Sequence, residues 1–391
     1  MATDELKRAC VNLRGAGLDF ALLTSHENIV YTSGFDEPVL IGAPRDFSGG
    51  FPLAVVVLNA REEAGALFTA DTYAGLAAAQ CTLGTPASFP IFNSFTAVDP
   101  VRSFADAVRG ALRSAGLGPR GTLGIEPETM PVVLAEVLAS DFAAVKIAPA
   151  GPSLERARLT KTPREIALMR NAARVADAGQ RAYVAAAADF AGGTEYEVWG
   201  AVSNAVNEAA AHLAPVPLVG ELVTGARTRE VRFPGGPRQR RIEPGDTGIL
   251  DISVRVDGYW CDCCNTAVFG REPAAEQKRY YAASRDGFDA AVGALRPGVR
   301  CCDVDAAVRA AFARHGFEVA HYSGHQIGAT VNERPRVVSY DPTPVEPGMV
   351  FCFEPGVYAG AGGGTGARVE KMVLVTDSGC EVMNQFPWGM G

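Results

Sequence analysis

The chain has 391 residues, 48% of them hydrophobic and 20% charged, enough for two or three domains at roughly 150 residues each and for sizeable buried cores. That composition excludes a disordered tail protein and a small disulfide scaffold. Lys+Arg 36 against Asp+Glu 44 leaves a net charge of −8, so nucleic acid, whose binding rests on phosphate neutralisation, is not an expected partner.

At the N-terminus Asp4, Glu5, Lys7 and Arg8 mix both charges and no apolar h-region follows, so no signal peptide is expected. No stretch reaches the roughly 18 apolar residues of a membrane span, so no membrane partner is expected either. Leu6, Ala9, Cys10 and Leu13 recur at helical spacing until Gly15 to Gly17. Strand-length apolar runs follow at Asp19–Thr24, Phe51–Leu58, Ala66–Thr69 and Thr122–Ile125, with a helical pattern over Phe104–Ala115. Strands interleaved with helices predict an α/β layer domain. Pro149-Ala-Gly-Pro152 marks a boundary, giving domains 1–152 and 153–391.

Thr162-Pro163-Arg164-Glu165 and Thr194-Glu-Tyr-Glu197 are capping boxes that open two helices. After residue 220 strand-like runs, glycine turns and carboxylates dominate, interrupted by helices over about Glu276–Leu295 and Val304–His315. The glycines from Gly360 to Gly366 form a loop, lacking the Lys-Ser/Thr ending of a phosphate-binding loop. Nine cysteines, an odd number with no CxxC pair, predict reduced thiols in a cytoplasmic protein.

Four segments place isolated polar groups inside apolar strand-like runs. Asp251 ends one run, Asp257-Gly258 signals a hairpin, and Asp262 returns at the mirrored place, so the two carboxylates are expected side by side. His321-Tyr-Ser-Gly-His325, Phe353-Glu354-Pro and Arg368-Val-Glu370-Lys371 follow. Singly, each has a plain reading: a turn or capping Asp, a structural His, a strand-terminating Glu-Pro. Jointly, buried carboxylates need cations. Four carboxylates with one imidazole suit divalent metal, Mn²⁺ first, with Zn²⁺, Co²⁺ or Fe²⁺ as alternatives.

In order, these segments read Asp251; Asp262, eleven on; Gly324-His325-Gln-Ile-Gly328; Glu354-Pro-Gly-Val-Tyr358; and Arg368-Val-Glu370. They resemble the creatinase/prolidase/aminopeptidase P group, peptidase family M24. Asn28-Ile-Val-Tyr31-Thr-Ser-Gly34-Phe35 resembles its N-terminal domain, and Leu159-Thr-Lys161-Thr-Pro-Arg-Glu165-Ile166 its linker and first catalytic-domain helix, so the likeness spans nearly the whole chain. The resemblance implies an α+β pita-bread catalytic domain behind a smaller, creatinase-type α/β N-terminal domain. It implies two divalent ions: Asp251 on one, His325 and Glu354 on the other, Asp262 and Glu370 bridging. A bridging water or hydroxide would attack an amide bond, with Glu354 carrying the proton and His321, which matches a further family histidine, also catalytic. It further implies Xaa-Pro peptidase-like hydrolysis of a short peptide or small molecule, and a homodimer.

The chain departs from the family at two histidines, whose places are taken by Arg232 and Asn332. Arg232 lies in Arg227-Thr-Arg229-Glu-Val-Arg232-Phe-Pro-Gly-Gly-Pro-Arg238-Gln-Arg240-Arg241, readable as a solvated hairpin or as a receiver of a substrate anion, with Arg334. The second option leaves open a diverged member acting on a small anionic non-peptide substrate, by other C–N hydrolysis or lyase chemistry. A silent binding module is a third option, disfavoured by the intact ligand set. If Asp262 points inward, strand alternation puts Cys264 beside it and Cys261 and Cys263 on the other face.

Overall fold

The structure, a computed structural model, describes residues 2–38, 52–211, 213, 218–230 and 235–390. It divides into two compact units between Leu159 and Thr160. In the first, α1 (Asp4–Gly15), β1 (Phe20–Leu23), α2 (His26–Ser33), β2 (Ala54–Asn59), β3 (Ala64–Ala70), α3 (Ala74–Gln80), β4 (Ala87–Phe89), α4 (Pro100–Ser114), β5 (Thr122–Ile125), α5 (Val132–Asp141), β6 (Lys146–Pro149) and α6 (Gly151–Arg158) follow in order. The strands make one sheet, β4-β3-β2-β1-β5-β6. Its period-two alternation splits the apolar residues between two faces. Ala21, Leu23, Val56 and Leu58 pack with Leu6, Ala9, Ile29 and Leu154. Phe20, Leu22, Val55 and Val57 pack opposite, with Phe104, Val108, Leu112 and Leu134. The expected layer domain is therefore present. Helix α4 begins four residues before the apolar pattern because Asp99 caps it, accepting from the Arg102 amide at 3.0 Å, and Pro100 suits the first turn. The boundary expected at 152 falls inside α6, which packs on α1 within this unit.

The second unit starts with α7 (Pro163–Ala188) and α8 (Glu195–Ala210), both opened by the expected capping boxes. Then come β7 (Leu218–Thr224), β8 (Thr247–Val256), β9 (Tyr259–Val268), α9 (Ala275–Ala294), α10 (Cys301–Arg314), β10 (Gly324–Gln326), β11 (Glu333–Val337), β12 (Val350–Phe353), β13 (Gly356–Tyr358), β14 (Gly366–Arg368), β15 (Lys371–Val375) and β16 (Cys380–Val382). They form sheets β7-β8-β9, β11-β10-β12-β15-β16 and β13-β14. A single bridge, with Cys264 and Glu370 exchanging backbone hydrogen bonds of 3.2 and 2.9 Å, joins β9 to the chain entering β15. Helix α7 lies against β8 and β9, where buried Gln180 donates to the Cys263 carbonyl at 3.0 Å. Lys161, which precedes α7, is buried and donates to Gln326 (2.5 Å) and Glu333 (3.0 Å), tying β10, the strand of His325, to β11.

Strand register corrects one expectation. Asp257 and Gly258 both have positive φ (47° and 83°), the signature of a two-residue type I′ turn. That turn pairs Asp251 with Cys264 and Asp262 with Ser253. The two carboxylates share a face but sit diagonally rather than opposite one another.

Candidate metal centre

The five expected ligands come from five places in these sheets: Asp251 on β8, Asp262 on β9, His325 on β10, Glu354 just after β12 and Glu370 just before β15. They converge. Ligand atoms of Asp251, Asp262 and Glu370 all lie within 4.8 Å of one another, as do those of His325, Cys352 and Glu370. The two triads share Glu370. His325 Nε2 lies 3.3 Å from Glu354 Oε1, 3.9 Å from Asp262 and 4.0 Å from Glu370. The Nδ1 of His325 faces the Gln326 carbonyl at 2.9 Å, which places a proton on Nδ1 and makes Nε2 the nitrogen turned toward the carboxylates.

Asp251, Asp262, His325 and Glu354 line a cavity of about 620 Å³ with Glu221, Ser253, His321, Tyr322, Asn332 and Arg368. Burial and mutual repulsion dominate its electrostatics. Burial, reinforced by Asp262 and Glu354, holds Glu370 well above the usual carboxylate range. Burial pushes Asp262 up to about 6 against the pull of His325. Asp251 is also raised well above its usual value by burial, with Arg368 opposing. Glu354 is the exception. Against the upward push of burial, its hydrogen bond to His325 and the charges of His325 and Arg368 bring it below the ordinary value.

Arg368 is buried, donating to Glu221 at 2.8 Å and lying 2.6 Å from Asp251. It neutralises one side of the cluster only. Glu370 Oε1 is buried with no hydrogen-bond partner, a position that costs several kcal/mol without a cation. An orphaned carboxylate oxygen, an imidazole Nε2 set among carboxylates and mutually repelling acids fit divalent metal ions.

The other expected residues are placed unevenly. His321 lines the cavity, its Nδ1 at 2.9 Å from the Tyr322 carbonyl and its Nε2 at 3.2 Å from the Tyr358 hydroxyl. Asn332 lines it too, donating to the Tyr322 hydroxyl at 3.2 Å. Arg334 is exposed on β11 and does not line the cavity. Arg336, two residues on, pairs across the ladder with His325, donates to Asn332 at 3.2 Å and stands 6.0 Å over the Tyr322 ring. Arg232 lies outside the described residues. Its neighbours have structural work: Arg227 pairs with buried Glu195, Arg240 with Asp246 (2.8 Å), and Arg229 donates to the Gly364 carbonyl (2.8 Å). Cys264 shares the Asp262 face, its Sγ 3.5 Å from the Arg368 carbonyl, while Cys263 faces Gln180 and Cys261 faces Asn384. The alternation expected of β9 is thus observed.

Glu221, Arg336 and Cys352 were not singled out from sequence. Glu221 could have been, since Val219-Gly-Glu221-Leu-Val223 sets a lone acid in an apolar run just as Asp251 is set.

A buried histidine among convergent carboxylates, held on antiparallel sheets flanked by helices, defines a metal-dependent hydrolase centre. Residues 167–377 match metallopeptidase family M24 and residues 6–160 match the creatinase/prolidase N-terminal domain. The chain belongs to metallopeptidase family M24, and its fold is the expected pair of a creatinase-type N-terminal domain and an M24 catalytic domain. It is 27% identical over 294 residues to the Xaa-Pro dipeptidase of Lactobacillus helveticus, covering 74% of this chain and 76% of that one. It is 28% identical over 267 residues to the putative dipeptidase YkvY of Bacillus subtilis, covering 68% and 71%. The prolidase structure from Pyrococcus horikoshii OT3 superposes with a TM-score of 0.77 at 21% identity, covering 100% of both chains, and shows the common fold. Among the described residues, no helix is long and apolar enough to cross a membrane.

Proposed function

We propose that the chain is a dinuclear metal-dependent hydrolase that cleaves short Xaa-Pro-type peptides in the cytoplasm, as a homodimer. The observation that carries this reading is the pair of ligand triads meeting at Glu370, whose geometry suits two neighbouring ions bridged by carboxylates. Asp251 would hold one ion, His325 and Glu354 the other, with Asp262 and Glu370 bridging; Mn²⁺ is the first expectation. Bound there, the ions would lower the pKa of a water and polarise the scissile carbonyl.

The chain's own residues handle the protons. Glu354, depressed below its ordinary value by its hydrogen bond to His325 against burial, is ionised at neutral pH and can take a proton from the attacking water and pass it to the leaving amine nitrogen. Burial lowers His321, against the pull of Glu354, so the ring is neutral. With Nδ1–H toward the Tyr322 carbonyl, its Nε2 accepts from Tyr358, and Tyr358 in turn accepts from Arg368 at 3.2 Å. This relay fixes the hydroxyl's orientation between His321 and Arg368, both of which line the cavity. Asn332 lines the cavity beside Tyr322, and Arg336, which donates to it, would be the guanidinium nearest that wall for a substrate carboxylate.

The test is metal analysis coupled to a dipeptide screen. Chelation should abolish Xaa-Pro hydrolysis and readdition of Mn²⁺, Co²⁺ or Zn²⁺ restore it. Full activity of a verified metal-free protein would end this reading. A second reading, an anionic non-peptide substrate, draws on Arg232 and Asn332 standing where relatives have histidines. There Arg232→Met should raise KM, lowering kcat/KM roughly ten- to a hundredfold through loss of a charge-assisted hydrogen bond of about 1.5–3 kcal/mol. An unchanged kcat/KM would assign Arg232 to a solvated hairpin.

A further inference from the structure

Cys352 occupies a place in this centre that packing alone does not require. It pairs directly across the ladder with His325, and strand alternation puts it on the same face as Glu354, two residues on. On its other side it pairs with Met372, itself two residues beyond Glu370. Three strands therefore present His325, Cys352 and the Glu354/Glu370 pair to one volume. The ligand atoms of His325, Cys352 and Glu370 lie within 4.8 Å of one another, all three residues buried. The Sγ makes one weak contact, to the Asp262 carbonyl at 3.7 Å, and a thiol is a poor hydrogen-bond donor. Independently, Glu370 Oε1 is buried and unpartnered beside it. Cys264, also on the carboxylate face, differs: it packs among Val223 and Ile249, and its Sγ turns to the Arg368 carbonyl.

Building on the metal-centre reading above, we infer that Cys352 is a sulfur ligand of the ion held by His325 and Glu370, which biases this position toward Zn²⁺ and Co²⁺ over Mn²⁺. Thiolate is a soft donor, whereas carboxylate and water favour Mn²⁺. Ligation exchanges the thiol proton for the ion; the proton leaves to solvent and no electron is transferred.

Cobalt is the probe. The full-length protein is stripped with a chelator and reloaded with Co²⁺, and its spectrum is followed. Visible d–d bands report bound Co²⁺, and a near-ultraviolet sulfur-to-cobalt charge-transfer band reports Cys352. Cys352→Thr, close in size, is expected to keep the visible bands and lose the near-ultraviolet one, while Cys264→Ser keeps both. Should Cys352→Thr not fold, the charge-transfer band of the parent and its persistence in Cys264→Ser still carry the assignment. Visible bands without a near-ultraviolet band in the parent, or a near-ultraviolet band surviving in Cys352→Thr, would overturn the sulfur ligand while leaving the metal centre standing. No cobalt spectrum at all would overturn the metal centre itself, and the sulfur ligand with it.

Discussion

Asp262→Asn protein is expected to lose bound metal and to fall about a thousandfold in kcat/KM on its best Xaa-Pro dipeptide, the equivalent of about 4 kcal/mol of the several that metal catalysis supplies. The reason is positional. In the proposed ligand set Asp262 would serve both ions with Glu370, since it lies in the triad with Asp251 and Glu370 and 3.9 Å from His325 Nε2. Ser253 donates to its Oδ1 at 3.0 Å and holds it in place. An amide keeps the shape but has one oxygen acceptor and no charge. Metal content by elemental analysis and kinetics on the same preparation check this. Retention of two ions per chain at parental activity would remove Asp262 from the ligand set.

Arg368→Met is expected to destabilise the metal-free protein by about 3–5 kcal/mol, the usual cost of stripping one partner from a buried ion pair. Asp251 and Glu221 would face each other in the cavity wall without the guanidinium that lies 2.6 and 2.8 Å from them. The pH sign follows from Asp251. Burial, opposed by Arg368, raises its folded pKa well above the ordinary 3.8 of an aspartate, so the folded state holds that proton longer than the unfolded one. Stability from this group therefore falls as pH rises above 3.8 toward the raised value, and removing Arg368, which holds that value down, extends the fall to higher pH. The deficit of the variant relative to the parent should be larger at neutral pH than in mild acid. Excess Mn²⁺ should recover part of it, about 2.7 kcal/mol at a hundred times its Kd. Urea denaturation at two pH values, with and without the ion, measures all three; equal stability of variant and parent at neutral pH would mean the pair contributes nothing.

The legible parts of this molecule are those written in local pattern. Thr162 and Thr194 announce their helices because a capping box is complete within four residues. Asp251, Asp262, His325, Glu354 and Glu370 stand out because a charge inside an apolar strand has few uses. What pattern could not carry was partnership across distance. Arg368 and Glu221 are 147 residues apart, and nothing in either neighbourhood names the other. Cys352 reads as apolar filler until the ladder sets it against His325. The arginine-rich stretch looked like one feature and divides into several, because Glu195 and Asp246 claim Arg227 and Arg240 one at a time. Arg334 and Arg336 have the same strand parity, so pattern alone does not tell which of them meets Asn332; the structure gives that place to Arg336.

The Asp257-Gly258 turn also acts as a gauge of parity for the whole centre. Because it holds two residues, every pair across β8 and β9 joins an odd number to an even one. One residue added there and taken up by sliding the ladder would turn Asp262 toward α7 and bring Cys261 or Cys263 round to the carboxylates. The same residue absorbed as a bulge in the turn would leave every ligand where it is. Length at this tip is thus free only insofar as the strands ignore it. A chemistry that depends on carboxylates rather than thiols facing the cavity is, at this point, held by counting to two.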